Sequence, residues 1–339
     1  MKKSIIAMAV AGALAVPAIA SADATLYGHV MMAVDKAKDS KVNVGGIGNS
    51  ESRIGLRGTA DTGVDGLTGI YNIEFGLTNS QTSKEPLVRE FGDFKVDKQN
   101  NTALNTRLIN AGLTGDWGTA IVGSQWAPHY SWVTSTTDVM LSSAASVLRA
   151  TDTVYRVDNT LAYVSPNFNG LQLAAAVSGS SANTDKNADF VHVAAKYDIA
   201  GFGAGLSYID FNSSQFGNKA GVNVQLKDVT AMSLSYETGP FFVGATYSNL
   251  RIEGEDTSKP WDLAATYDVS DATTLKLAYA DFRDGAKGYG VEVQHDLSNM
   301  VNMFVGYGNA NSDLREATSS KVSGATYNSI FSTGMRVRF

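Results

Sequence analysis

Along the last thirteen residues, Tyr327, Ser329, Phe331, Thr333, Met335, Val337 and Phe339 share one parity, and Asn328, Ile330, Ser332, Gly334, Arg336 and Arg338 the other. A period of two marks a strand whose two faces meet different surroundings. The alternation recurs at Leu275, Leu277 and Tyr279 against Thr274, Lys276 and Ala278, and at Val301, Met303, Val305 and Tyr307 against Asn302, Gly306 and Gly308. It recurs again at Val191, Val193, Ala195 and Tyr197 against His192, Ala194, Lys196 and Asp198. One such strand would suit a soluble sandwich equally well. The recurrence, with glycine, charge and small residues on the second face, predicts a wall wetted on one side and greasy on the other.

The punctuation between strands alternates too. Short turns fall at 62–66, 115–118, 165–170, 199–201, 238–240, 269–272 and 297–299. Longer polar stretches lie near 36–50, 80–103, 127–153, 180–188, 212–222, 251–259, 283–287 and 311–326. Seven turns and eight loops join sixteen strands of roughly 9–11 residues, the length that crosses a bilayer at a tilt. The expectation is an all-β, antiparallel, transmembrane barrel with an even strand count and an aqueous interior. Tyr197, Tyr236 and Tyr267 each precede an acid and a short turn, as a belt of interfacial aromatics does.

Lys2 and Lys3 stand before an apolar stretch that ends in Ala20-Ser21-Ala22. That is the layout of a secretory signal peptide, so residues 1–22 are read as the signal and 23–339 as one barrel domain. Loss of the two lysines takes the formal charge from −6 to −8, which argues against a nucleic-acid partner. The chain has no cysteine, hence no disulfide or thiol chemistry. Its four histidines, His29, His129, His192 and His295, form no metal-ligand spacing, and no G-x-S-x-G or H-E-x-x-H occurs. No enzyme activity, cofactor or metal is therefore expected.

Several stretches are similar to the Gram-negative general diffusion porins. They are Leu26-Tyr27-Gly28, Ser52-Arg53-Ile54-Gly55-Leu56-Arg57-Gly58, Gly115-Asp116-Trp117-Gly118-Thr119, Tyr155-Arg156-Val157-Asp158-Asn159, Ser165-Pro166-Asn167-Phe168-Asn169-Gly170-Leu171 and the closing Phe339. The resemblance implies a sixteen-stranded barrel in the cell outer membrane, assembled as a homotrimer among lipid and lipopolysaccharide, with its third loop folded inward. It implies a wall cluster of Arg53, Arg107 and Arg156, with His29 where relatives often carry a basic residue. Phe339 resembles the tag read by the barrel assembly machinery.

Parity places Arg57 on the same face as Arg53. It sets Arg156 with Asp158 and Thr160 while Val157 faces away, and an inward Arg107 would leave Asn110 outward beside Leu108. The inward loop is expected at 126–153, carrying Asp138 and Arg149; where relatives place a further acid, this chain has Ser142-Ser143-Ala144-Ala145. One loop acid against three or four wall cations predicts a passive pore for small hydrophilic solutes with a weak lean to anions. A substrate-specific channel and, behind it, an outer-membrane barrel enzyme are the alternatives.

Overall fold

In hydrocarbon every backbone N–H and C=O must find a partner within the protein, and a sheet meets that demand only by joining its two edges. The strands here do so. The structure, a computed structural model, describes residues 23–45, 52–77, 104–148, 150–151, 154–179, 188–212, 226–254, 256–283, 285–313 and 329–339.

In chain order the strands are β1 (Asp23–Ala37), β2 (Asn43–Val44), β3 (Arg53–Asp61), β4 (Thr68–Leu77), β5 (Leu104–Gly115), β6 (Gly118–Trp126), β7 (Arg156–Val164), β8 (Leu171–Gly179) and β9 (Ala188–Ile199). They continue with β10 (Phe202–Phe211), β11 (Leu226–Thr238), β12 (Phe241–Ile252), β13 (Trp261–Ser270), β14 (Thr273–Arg283), β15 (Ala286–Asp296), β16 (Val301–Ala310) and β17 (Ser329–Arg338). Each long strand pairs antiparallel with its sequence neighbours. Closure comes from β1, which pairs with β3 in one half, His29 opposite Arg53, and with β17 in the other, His29 opposite Arg338. Apart from the two-residue β2, which the alternation did not reveal, sixteen strands make the closed barrel.

The seven short turns stand where the sequence placed them. One expected loop does not: the stretch near 283–287 shrinks to a tight turn, with β14 running to Arg283 and β15 starting at Ala286. Left-handed backbone at Arg283 (φ 72°) and Gly285 (φ 85°) makes that reversal possible. The expected loops at 80–103, 180–188, 212–222 and 311–326 fall largely outside the described residues.

Parity divides the barrel as expected. Val191, Val193 and Tyr197 on β9, Met303, Val305 and Tyr307 on β16, and Phe331, Met335 and Val337 on β17 are exposed outward. His192, Ala194, Phe304, Ile330 and Ser332, at the other parity, are buried. In water so continuous an apolar exterior would aggregate; against lipid it is the stable surface. Aromatic pairs mark the turn end of the wall: Phe202 with Tyr236 (centroids 4.3 Å apart), Phe241 with Tyr267 (4.7 Å) and Trp117 with Tyr163 (6.1 Å).

The terminal Phe339 finishes the seam, exchanging backbone hydrogen bonds with Gly28 (3.0 and 3.1 Å). A Cβ at position 28 would collide with the Arg53 carbonyl and stand 2.8 Å from the Phe339 ring, so the glycine of Leu26-Tyr27-Gly28 makes room for the neighbouring strand and for that ring. The outward face sets a first test. Val305→Arg, at the middle of β16, should cost roughly 2–4 kcal/mol of folding free energy, read by denaturant-titrated refolding into vesicles. A loss under about 1 kcal/mol would mean that Val305 does not face hydrocarbon.

Candidate functional site

The seam brings the basic residues together. A cavity of about 570 Å³ is lined by Tyr27, His29, Arg53, Arg57, Asn72, Glu74, Leu108, Trp126, Arg336, Arg338 and Phe339, among others. Among the described residues Glu74 is its one lining acidic side chain, and it is buried. Its Oε1 accepts from Arg107 Nε at 2.6 Å and lies 3.8 Å from Arg53 Nη1; its Oε2 accepts from the Tyr27 hydroxyl at 3.0 Å. That hydroxyl also reaches Asn72 Oδ1 at 2.9 Å.

The remaining guanidiniums are held by rings and an amide. Arg57 sits 5.0 Å from the centroid of Tyr27, while Arg107 and Arg156 lie 5.6 and 5.1 Å from that of Trp126. Such cation–π contacts stabilise by about 0.5–2 kcal/mol. The amide oxygen of Asn302, oriented by its hydrogen bonds, accepts from Nη2 of Arg338 at 3.0 Å and of Arg336 at 3.1 Å. Like charges at this spacing repel, so the rings and Glu74 are what keep the cluster assembled.

Two bulges correct the simple parity. Opposite Glu74 the register between β4 and β5 shifts, with Arg107 as the extra residue. Both Arg107 and Leu108 are then buried, and Asn110, donating to the Ser124 carbonyl at 2.8 Å, need not face outward for Arg107 to face inward. Between β6 and β7 Ser124 is opposed by Asp158 and Asn159, with Asn159 left-handed (φ 52°). Val157 therefore turns to the buried side, against Ala127, Phe190 and Ile209, instead of facing away.

Reasoning from sequence missed Arg336 and Arg338 as site residues. Both had the right parity; the missing signal was closure, which sets Arg338 beside His29. Glu74 and Asn302 were missed for the same reason, since each acts through a strand distant in sequence.

The segment after β6 carries a π-helical turn (His129–Val133) and two 3-10 turns (Thr134–Thr137 and Ser143–Val147). It packs on polar and small residues of β9–β17. Asp262 accepts from the amides of Ala150 (2.7 Å) and Thr151 (2.9 Å) and from the Thr151 hydroxyl (2.6 Å). Glu292, paired with Lys276 at 3.0 Å, accepts from the amides of Leu141 (2.9 Å) and Ser142 (2.7 Å). Ser207 lies between His129 Nδ1 (3.0 Å) and His192 Nε2 (3.2 Å). At Gly244 a Cβ would stand 2.8 Å from the Thr136 carbonyl, so only glycine admits so close an approach.

Among the expected loop residues, Asp138 accepts from the Tyr130 hydroxyl at 2.7 Å. Tyr130 in turn stacks on Trp126, centroids 5.1 Å apart, which joins Asp138 to the ring that carries Arg107 and Arg156. Arg149 lies outside the described residues. Among the described residues no group of three His, Cys, Asp or Glu could hold a metal ion.

Known proteins resemble this chain over most of its length. It is 27% identical over 306 residues to outer membrane porin protein 32 of Delftia acidovorans, with 83% of this chain and 80% of that one covered. It is 28% identical over 327 residues to an outer membrane porin protein of Bordetella pertussis, covering 86% of this chain and 73% of that one. Among solved structures, an anion-selective porin from Comamonas acidovorans superposes with a TM-score of 0.67 at 18% identity, over 94% of this chain and all of that one, a likeness of fold. The family model described as Gram-negative porin matches residues 7–314, which hold all but the last of the sixteen barrel strands, and this outer-membrane chain belongs to the Gram-negative porin family.

Proposed function

We propose that the protein is a passive, water-filled pore for small hydrophilic solutes and ions, weakly selective with a lean to anions. The observation that carries the reading is the cavity in which, among the described residues, His29, Arg53, Arg57, Arg336 and Arg338 face one acidic side chain, Glu74. Arg107 and Arg156 join it through Glu74 and Trp126. In a narrow passage with low-dielectric walls, such a group sets the local potential more strongly than the acidic total does. The solved porin described as anion-selective supports the sign.

The segment 126–153 is, in this reading, the third loop folded into the barrel. It narrows the passage, with Asp138 facing the arginine wall, and Asp262 and Glu292 tether it. Solutes pass down their gradients, rejected by size at the narrowing and biased in sign by its charges. No chemical step is involved. Residues 1–22 direct export, three copies assemble in a membrane that carries lipopolysaccharide, and Phe339 with the alternating residues before it is read during barrel assembly.

Reversal potentials in a salt gradient test the selectivity: they should show anions preferred. Arg53→Ala and Arg156→Ala should each raise conductance and move the permeability ratio toward cations, on the order of twofold. Clear cation preference in the parent protein would refute the lean, and unchanged conductance and selectivity would remove those residues from the narrowing.

The tether makes a separate expectation. Asp262→Asn weakens the three hydrogen bonds that Ala150 and Thr151 donate to a charged acceptor, each contributing about 1.5–3 kcal/mol. Single-channel current should become noisier and segment 126–153 easier to cleave with protease. Parental noise and parental protease resistance would show that Asp262 does not hold the loop.

A further inference from the structure

Charge on the inner parity changes sign along the barrel. At the end closed by the short turns, Asp23 on β1, Asp61 on β3, Asp198 on β9, Glu237 on β11, Asp268 on β13 and Asp296 on β15 all stand at the strand end. Each has the parity of buried or arginine-bearing positions on its own strand: Asp61 that of Arg53 and Arg57, Asp198 that of His192, Asp296 that of Glu292. Five of the six are exposed, and Asp296 is partly so. Asp198 alone among them has an ion-pair partner within the described residues, Lys196 at 3.5 Å.

The seven short turns add three further acids and contain no lysine or arginine. Two arginines of the cluster reach toward this rim: Arg338 Nη1 donates to the Asn299 carbonyl at 3.3 Å, and Arg336 and Asp296 both stand opposite Asn302. On β3 the arginines lie four and eight residues from Asp61, roughly 13 and 26 Å along the strand. The opposite end is mixed, with Lys36, Lys38, Lys227, Arg251 and Lys287 among acids. Short turns belong to the periplasmic side and longer loops to the outside, which orients the gradient.

We propose that the pore rectifies: a basic waist stands in series with an acidic periplasmic rim. The inference rests on the reading of the chain as an open pore. Anions are the majority carriers in the waist and cations in the rim. With the periplasmic side positive, anions driven inward through the waist and cations driven outward through the rim both collect at the junction, so local conductance rises. With the opposite sign both are drawn out of the junction, and conductance falls. Nothing needs to bind, and nothing needs to move.

The test is a current–voltage curve from the full protein inserted with known orientation. Because the chain has no cysteine, Lys41→Cys on the outer side can carry biotin, and streptavidin added to one chamber reports which way the channel faces. At about 0.1 M salt, where charges are felt over about 10 Å, current should be on the order of twofold larger with the periplasmic side positive. At about 1 M, where that reach falls to about 3 Å, the curve should be nearly symmetric.

Neutralising the rim (Asp23→Asn, Asp61→Asn, Asp198→Asn, Glu237→Gln, Asp268→Asn, Asp296→Asn) should abolish the asymmetry while the reversal potential stays on the anion side. If that variant fails to assemble, Asp198→Asn with Glu237→Gln and Asp268→Asn with Asp296→Asn should each lower the current ratio in part. A symmetric curve at low salt, or a ratio unchanged in the neutralised channels, would overturn the proposal. Absence of any current would instead bring down the pore reading itself.

Discussion

Backbone hydrogen bonding in a solvent that offers no partners is the constraint on which this structure depends. A strand in hydrocarbon has nowhere to place an unpaired N–H, so the sheet must meet itself. Here β1 satisfies both neighbours in turn, β3 along its first half and β17 along its second. Once the sheet closes, every strand has one face in lipid and one inside. The exposure of Val305, Leu277 and Val193, and the burial of Ser332, Lys276 and His192, follow from that geometry.

Closure also assembles the charge. Arg53 belongs to the third strand of the chain and Arg338 to its last, yet both stand opposite His29. Bringing so many guanidiniums to one place is costly unless each is given something to rest on. The wall supplies the Tyr27 and Trp126 rings, the Asn302 amide and the carboxylate of Glu74. These partners leave the cluster net positive, and that excess is what a passing ion would feel.

The segment after β6 is governed by a different balance. Polar groups that leave water must be repaid with hydrogen bonds, and here the acceptors are carboxylates of the wall itself. Asp262 and Glu292 take backbone amides from Leu141, Ser142, Ala150 and Thr151, so wall acids are engaged by the segment while the arginines stay less neutralised. Small residues complete the fit: Gly244 and Gly306 admit Thr136 and Ser142 where a side chain would collide.

The sequence by itself determined the alternation, the seven short turns, the number of long strands and the outward or inward parity of most positions. All of these are local, set by side-chain chemistry two residues apart and by turn residues within a few positions. It also held Arg53, Arg57 and His29 as inward candidates. Only the tertiary structure decided which inward residues meet. The bulge that turns Arg107 inward without expelling Asn110, the one that turns Val157 inward, the arrival of Arg336 and Arg338 beside His29, and the choice of Asp262 and Glu292 as anchors each depend on register between strands. Register is fixed by pairing across the whole closed sheet, and no stretch of a single strand encodes it.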